Sequence, residues 1–355
     1  MLRNALLAGL ALTAPLPALA AIATLDLANY ALTGTHALPV SASEASAVTW
    51  NHDTDTLFVV GDEGDALVEV SKTGVQLSVM ILTGFDDTEG LTYIGGGQFV
   101  IVEERLRDAY RFTYVGGGGI DRSSLDVVDL GATVANIGVE GISFDPRDGT
   151  FISVKERLPQ EVGHNVLDFD AGTAVVSSLF DPEPAGVNLD VLDLSDVQVL
   201  ATVPMLQGGA DADNLLIYSQ ESGRLLETDR SGHVLSDFFL VGIDNAEGVT
   251  VDADGIVYLV GEDPALYVLT AVPLPSAFLL LGSALALVRL RRGGGGGEAA
   301  GGAEALRRDA GQPAGCPGGC LGFGGVSGGG GWAGTPTRGR RDRGPRRCRG
   351  AAARA

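Results

Sequence analysis

Residues 87–105 read DTEGLTYIGGGQFVIVEER, and this stretch decides the fold. It contains two short apolar strands, LTYI and QFVIV, joined by a glycine turn at residues 95–97. An acid-glycine pair stands where the first strand begins, and an acid pair stands where the second strand ends. The pattern returns as EGISFDPRDGTFISVKER at residues 140–157 and as EGVTVDADGIVYLVGED at residues 247–263. Repetition at a near-fixed spacing is typical of repeat architectures.

Two weaker copies complete a set of five. One covers residues 46–63, and a degraded one begins at Ser195 and resumes at residue 215 after an insertion. We call the residue at the position of the acid in the acid-glycine pair the entrance residue of each copy. The five entrance residues are Ser46, Glu89, Glu140, Ser195 and Glu247. A further strand pair lies between copies, for example LVEVSKTGVQLSV at residues 67–79. Four strands per unit is the size of one propeller blade. The sequence therefore predicts an all-β fold, a five-bladed β-propeller of four-stranded blades.

The ring needs a closing strand. The last repeat stops one strand short, at ALYVLTAV in residues 265–272, while residues 24–40 alternate weakly between apolar and polar. Pairing the first segment with the last would remove an exposed sheet edge. We therefore expect an N-terminal strand to close the propeller, which spans residues 24–271.

Charge and cysteine placement limit the function. Residues 21–272 contain 41 Asp and Glu but only 10 Lys and Arg. Such a body repels phosphate backbones, which argues against nucleic-acid binding, and it suits either cation binding or simple solubility. All three cysteines (Cys316, Cys320 and Cys348) follow this body, so its sheets hold it without disulfides.

The N-terminal 20 residues predict export. They carry one arginine, then an apolar stretch, then Ala18-Leu19-Ala20. This order is typical of a secretory signal peptide cleaved after Ala20. The protein is therefore expected in the periplasm or at the cell surface of a Gram-negative bacterium.

A second targeting segment covers residues 272–292. It reads VPLPSAFLLLGSALALVRLRR, with an apolar run at residues 277–288 followed by arginines. The run predicts a single C-terminal transmembrane helix, short but extendable by flanking leucines and arginines. The layout resembles the PEP-CTERM sorting signals of bacteria, in the variant that opens Val-Pro-Leu-Pro. The resemblance implies an exosortase as partner and anchoring in the plasma membrane at least before processing.

Residues 293–355 form a tail of Gly, Ala, Arg and Pro without apolar periodicity. This composition predicts disorder. Sorting signals of this kind end soon after their arginines, so we interpret the tail as a frameshift or read-through product.

The entrance glutamates predict a metal site. In a propeller the innermost strands surround one channel, so Glu89, Glu140 and Glu247 should meet at one mouth. Crowded carboxylates repel each other unless they gain protons or a cation, and calcium accepts six to eight oxygens. We therefore expect calcium there. Residues just upstream of the entrance glutamates offer further ligands: Asp87, Asn136, Asp244 and Asn245. The alternative is that each glutamate binds backbone N–H groups of the next blade or pairs with Arg105 or Arg157.

A second set of glutamates follows the second strand of each copy. The five are Glu63, Glu104, Glu156, Glu221 and Glu262. Three are secondary metal candidates: Glu104, Glu156 and Glu262. Because arginine follows Glu104 and Glu156, ion pairing between blades is the favoured alternative.

Signatures of enzymes are scarce. Residues 24–271 contain no Gly-x-Ser-x-Gly elbow, His-Glu-x-x-His pair, P-loop or dinucleotide fingerprint. Two turns that resemble calcium loops, at residues 145–149 and 252–255, lack the final glutamate and are interpreted as hairpin turns. His52 and His233 are expected in exposed turns. His164 is expected in a long loop, where it could reach a channel mouth.

The repeats resemble the SdiA-regulated family of bacterial envelope proteins. The resemblance rests on the EGLTY-type and VEER-type or VKER-type segments and covers about residues 44–270. It implies a five-bladed propeller distantly related to NHL-repeat propellers, with a calcium site at Glu89, Glu140 and Glu247 and no established catalytic activity. The fourth copy departs from the pattern at Ser195-Asp196 and in its insertion.

A weaker resemblance leads to a different class. The segment at residues 244–248, DNAEG, is similar to phytase-like esterase propellers, which implies a calcium-dependent phosphoester or ester hydrolase as the alternative function. The favoured interpretation is a calcium-binding module for an unknown envelope ligand or polysaccharide.

Overall fold

A computed structural model describes residues 24–272 except Asn136, residues 183–186 and Asp244. Within this part the strands form five sheets, and each sheet contains the four antiparallel strands of one blade. The innermost strands contact one another in cyclic order, and the fifth returns to the first. The predicted five-bladed propeller is confirmed. The predicted signal peptide, sorting signal and C-terminal tail lie outside the described residues, and within those residues no helix has the length and apolar character of a membrane span.

Blades 1 and 2 follow the repeat closely. The first strand of the chain, β1 (Tyr30–Ala37), belongs to the last blade. Blade 1 contains β2 (Ala45–Asn51), β3 (Thr56–Gly61), β4 (Ala66–Val70) and β5 (Gln76–Thr83). Blade 2 contains β6 (Thr88–Gly95), β7 (Gln98–Glu103) and β8 (Asp108–Thr113). Next come β9 (Gly119–Asp121), which pairs parallel with β5, and β10 (Asp126–Asp129), the outer strand of blade 2.

Blades 3 to 5 complete the ring. Blade 3 contains β11 (Val139–Asp145), β12 (Thr150–Lys155), β13 (Glu161–Asp168) and β14 (Thr173–Phe180). Blade 4 contains β15 (Asp196–Val199), β16 (Leu215–Ser219), β17 (Arg224–Thr228) and β18 (Val234–Phe239). Blade 5 contains β19 (Ala246–Val251), β20 (Val257–Gly261), β21 (Ala265–Ala271) and β1. The insertion in blade 4 forms three short 3-10 helices: Leu200–Thr202, Pro204–Leu206 and Ala210–Asp213. Three more occur elsewhere: Leu27–Asn29, Val40–Ala42 and Arg122–Ser124.

The core consists of layers between blades. Five clusters of buried apolar side chains are present in the described residues, one at each junction of neighbouring blades. At the junction of blades 1 and 2, for example, Phe58 packs on Phe99 with ring centroids 4.5 Å apart. Both faces of each inner strand are therefore covered, which explains why these strands read as nearly continuous apolar runs.

The N-terminal strand closes the ring as predicted. Strand β1 pairs antiparallel with β21, from Tyr30 opposite Ala271 to Ala37 opposite Ala265. The Tyr30 hydroxyl donates a hydrogen bond to the Gly255 carbonyl oxygen at 2.8 Å. This pairing covers the sheet edge that blade 5 would otherwise expose.

A closed set of hydrogen bonds links the five inner strands. Each blade supplies one polar side chain, three residues after its entrance residue, that binds the next blade; this polar ring consists of Thr49, Thr92, Ser143, Gln198 and Thr250. For example, the Phe144 N–H donates to Thr92 Oγ1 at 3.0 Å. The Trp50 N–H donates to Thr250 Oγ1 at 3.0 Å, which joins the last blade to the first.

Thr92→Val should destabilise the propeller, because the Phe144 N–H would lose its acceptor in the channel while side-chain shape is preserved. We expect the free energy of unfolding to fall by about 1–3 kcal/mol, measured by urea denaturation. The exposed Thr113→Val serves as control and should change stability by less than about 0.5 kcal/mol. Equal effects of the two substitutions would contradict a structural role for the polar ring.

Candidate functional site

The entrance residues occupy equivalent β-bulges. In blade 2, Thr88 pairs with Glu103 and Gly90 with Val102, so Glu89 is an extra residue without a cross-strand partner. The same interruption occurs at three other entrance residues: Ser46, Glu140 and Glu247. A bulge re-aims the side chain of the extra residue out of the regular alternation of a strand. Here it turns these side chains towards one mouth of the channel.

The glycine of each acid-glycine pair is required by close packing between blades. A Cβ atom at Gly248 would lie 2.7 Å from the Val48 nitrogen. A Cβ atom at Gly141 would lie 2.7 Å from the Asp196 Cα. A larger residue would therefore push the inner strands apart beside the entrance glutamates. The acid-glycine pair thus combines a carboxylate with a backbone contact that only glycine permits.

The three entrance glutamates influence each other electrostatically. Burial raises the pKa of Glu89 well above its usual range, and the charge of Glu247 adds to this effect. Burial and then the charge of Glu89 likewise raise the pKa of Glu140. Burial, followed by the charge of Glu262, raises the pKa of Glu247 to about 8. Glu89 thus interacts electrostatically with both Glu140 and Glu247, and a metal held by these three glutamates stays a prediction.

One carboxylate cluster of the described residues joins one entrance residue to two of the secondary candidates. Oxygens of Glu104, Glu140 and Glu156 all lie within 4.8 Å of one another. Asp87 is buried beside Glu104, and burial together with Glu104 raises the pKa of Asp87 to about 7. Two buried oxygens here accept no hydrogen bond from a described residue, Oδ2 of Asp87 and Oε2 of Glu156. We call the entrance glutamates and this cluster together the acid mouth.

The acids that follow the second strands are offset from the predicted set in two blades. The N–H groups of Glu104 and Glu262 donate to the carbonyl oxygens of Asp87 and Asn245, just before the inner strand. By the same bond, from Asp62 to Glu44, the equivalent in blade 1 is Asp62 rather than Glu63. In blade 4 the strand pairing makes it Gln220 rather than Glu221. Gln220 Nε2 donates to Glu247 Oε1 at 2.8 Å.

Arginines neutralise the rim of the acid mouth. Arg105 pairs with Asp87 Oδ1 at 2.7 Å. Arg157 pairs with both Glu156 and Glu221, which links blades 3 and 4. Glu104 instead accepts a hydrogen bond from the Gly138 N–H of the next blade at 2.8 Å. Ion pairing between blades is therefore present in the second set of glutamates, through Arg157, whereas none of these contacts involves an entrance glutamate. Oδ2 of Asp87 and Oε2 of Glu156 have no hydrogen-bond partner among the described residues.

Other candidate residues lie away from the acid mouth. The prediction that His164 lies in a long loop is wrong, because His164 lies within β13, opposite Ser177. His52 and His233 are exposed in turns, as predicted. The two turns resembling calcium loops are hairpin turns, and their first aspartates pair with cations: Asp145 with Arg230 at 2.6 Å, and Asp252 with Lys72 at 3.0 Å. Asn136 and Asp244 fall outside the described residues.

The opposite mouth contains a cavity that the sequence did not indicate. It measures about 300 Å³ and is lined mainly by apolar and aromatic groups, including His52, Tyr93, Phe144, Pro146, Thr202 and Pro204. The His52 and Tyr93 rings meet edge-on with centroids 4.9 Å apart. A gap of about 10 Å³, lined by members of the polar ring, adjoins this cavity and shares His52, Tyr93 and Thr202 with it. None of the residues that line the cavity belongs to the entrance glutamates.

Fold and site together define a five-bladed β-propeller with an acid-lined channel mouth. Residues 23–270 match the model of the family described as SdiA-regulated, and the chain belongs to that family. Among solved structures it is similar to Staphylococcus aureus virginiamycin B lyase, with 12% identity, 67% of this chain and 69% of the lyase covered, and a TM-score of 0.37. It is also similar to Myxococcus xanthus glutaminyl cyclase, with 10% identity, coverage of 68% and 95%, and a TM-score of 0.47. Neither likeness carries a functional argument.

The elevated pKa of Glu247 predicts how stability depends on pH. Between the ordinary glutamate pKa of about 4.5 and the folded value of about 8, the folded protein binds more protons than the unfolded chain, so stability falls as pH rises. With a chelator present, we expect a loss on the order of 2–4 kcal/mol between pH 5 and pH 8, measured by urea denaturation.

Glu247→Gln should reduce this pH dependence by the share of Glu247, because the amide does not titrate, and should leave the share of Asp87, Glu89 and Glu140. The exposed Glu63→Gln should leave the slope as in the wild type. Identical slopes for Glu247→Gln and wild type would show that Glu247 ionises normally in the folded protein.

Proposed function

We propose that this protein is an exported cell-envelope propeller that binds calcium at the acid mouth and serves as a binding module for an oxygen-rich ligand. The observation that carries the proposal is the cluster of Glu104, Glu140 and Glu156, with buried oxygens of Asp87 and Glu156 left without a described partner. A buried carboxylate oxygen without a donor costs free energy, and a bound cation would remove that cost.

The ligand chemistry favours calcium over other common metals. The cluster offers carboxylate oxygens only, with neither thiolate nor imidazole among its three members, so it suits a hard cation. Magnesium demands near-octahedral geometry and gives up water reluctantly, whereas calcium accepts irregular arrangements of six to eight oxygens. Glu140 is the entrance residue that joins this cluster, and the charge of Glu89, a second entrance residue, acts on it.

Coordination also supports a role in binding a ligand. Three or four carboxylates do not complete a calcium shell of six to eight oxygens unless several bind through both atoms. Water fills the remaining positions, and hydroxyl or carboxyl oxygens of an envelope polysaccharide can replace that water. Such a ligand would approach the acid mouth through the cation, because the bare carboxylates would repel an acidic sugar.

Export and sorting belong to the same proposal and rest on the sequence. The signal at residues 1–20 and the resemblance of residues 272–292 to a PEP-CTERM segment support delivery to the envelope and handover to an exosortase. The membrane segment at residues 277–288 would hold the protein at the plasma membrane until that step.

Calorimetric titration with calcium tests the metal site. Wild-type protein should bind calcium and, near pH 6.5, release protons, because cluster carboxyls with raised pKa values lose their protons when the cation enters. Titrations in two buffers of different ionisation enthalpy give the number of protons released. Glu140→Gln should weaken binding at least about tenfold, equivalent to about 1.4 kcal/mol.

Glu63→Gln is the matched control. Glu63 belongs to a second three-carboxylate cluster, with Glu44 and Asp62, on more exposed side chains. Loss of binding in Glu63→Gln but not in Glu140→Gln would move the site to that cluster. Absence of binding heat and of any calcium-dependent stabilisation in the wild type would refute the proposal.

Export predicts defined ends for the mature protein. Mass spectrometry of protein isolated from the native cell envelope should find Ala21 as the first residue, because cleavage is expected after Ala20. It should also find no peptides from residues 293–355. A mature product that retains Met1 or Ala355 would contradict the interpretation of the corresponding end.

A further inference from the structure

Two basic side chains stand apart from the others of the propeller. Of the ten Lys and Arg in residues 24–272, eight pair with a carboxylate within 4.0 Å: Lys72, Arg105, Arg111, Arg122, Arg147, Arg157, Arg224 and Arg230. The two exceptions among the described contacts are Arg107 and Lys155. Acids outnumber bases about fourfold in this body, so two cations without a paired carboxylate require an explanation.

Both exceptions line the same cavity. It measures about 140 Å³ and lies between blades 2 and 3, with Arg107 from the turn after β7 and Lys155 from the end of β12. Three serines contribute hydroxyl groups to the wall: Ser153, Ser177 and Ser178. The apolar residues Val139, Val162 and Val176 complete much of the rest.

The Arg107 guanidinium is held in place without a described acceptor. Its Nε atom is buried and makes no hydrogen bond to a described residue. Its Cζ atom packs over Gly131, where an added Cβ would lie only 3.2 Å away. A guanidinium is permanently charged and presents its donors as a planar fork that matches a carboxylate. The side chain is therefore oriented but lacks an anion.

Lys155 points its ammonium towards the same region. Nζ donates to the carbonyl oxygens of Arg157 at 2.5 Å and Pro159 at 2.8 Å. An ammonium has three N–H groups, so one remains available. Lys155 is only 6% exposed, and burial lowers its pKa. The charge of Arg107 acts in the same direction, and Glu161 acts against it.

We propose that this cavity binds the carboxylate group of a small organic acid, with Arg107 as the fork that receives it and Lys155 and Ser153 as further donors; the Ser153 hydroxyl accepts from Asn165 Nδ2 and keeps its own O–H. The cavity also contains Glu161 and Asp181, so its cations are partly balanced. These two acids would repel a doubly charged phosphate more than a singly charged carboxylate. None of Glu104, Glu140 and Glu156 lines this cavity, and none of the donors named here is a cation ligand.

Thermal unfolding of the mature protein in sodium acetate tests this site, with sodium chloride and sodium phosphate at matched ionic strength and pH, and a chelator throughout. At about 50 mM, acetate should raise the wild-type Tm by about 2–4 °C above the value in chloride, as expected for a Kd of a few millimolar. Phosphate should give a smaller shift than acetate.

Arg107→Gln should abolish the difference between acetate and chloride. The matched control, Arg111→Gln, should retain it, because Arg111 already pairs with Asp126 and Asp170. If Arg107→Gln does not fold, Ser177→Asp supplies the same test, since it places a carboxylate at the exposed rim and should also abolish the acetate effect. The proposal is overturned if acetate and chloride act alike on the wild type, if the loss-of-site variant keeps the acetate shift, or if phosphate stabilises more than acetate.

Discussion

The polar ring is the constraint on which the rest of the molecule depends. In a propeller each inner strand is packed between two others, and its backbone donors near the axis have little access to water. Thr49, Thr92, Ser143, Gln198 and Thr250 connect successive blades, so every inner strand is tied to the next at the same height. Because the entrance residues precede these positions by three residues, fixing the polar ring also fixes where the bulges deliver their carboxylates.

The acid mouth lowers the stability of the fold when its carboxylates are charged, because they are buried close to one another. Glu89, Glu140 and Glu247 are held together by backbone geometry, and their raised pKa values measure the resulting repulsion and burial. Arg105 and Arg157 offset part of this cost at the rim, but they engage only one oxygen of Asp87 and of Glu156. A structural role alone would be served equally well by neutral side chains, such as Ser46 in blade 1. Retaining the acids in three blades is consistent with a site that uses their charge.

Local repetition in the sequence predicted the architecture, the closing strand and the equivalent positions of the three entrance glutamates on the inner strands. It did not predict the offset to Asp62 and Gln220, because the position of a β-bulge depends on strand pairing and not on residue type alone. The members of the polar ring stand at the same position of each repeat, as Thr, Thr, Ser, Gln and Thr. Their hydrogen bonds to the next blade depend on how neighbouring inner strands pack, which the sequence of one strand does not indicate. The cavities at His52 and at Arg107 were beyond reach, since each brings together residues from different blades. The sequence wrongly indicated a loop at His164, which lies in the strand β13.

The pairing of β1 with β21 has a consequence for how the chain matures. The first strand of the propeller to be synthesised, β1, has as its sheet neighbour the last one, β21, with Tyr30 opposite Ala271 and Ala37 opposite Ala265. Until β21 has been made, β1 has no sheet partner and the ring remains open, with an unprotected β edge. Completion of this circular molecule is therefore a late event set by its most distant contact along the chain.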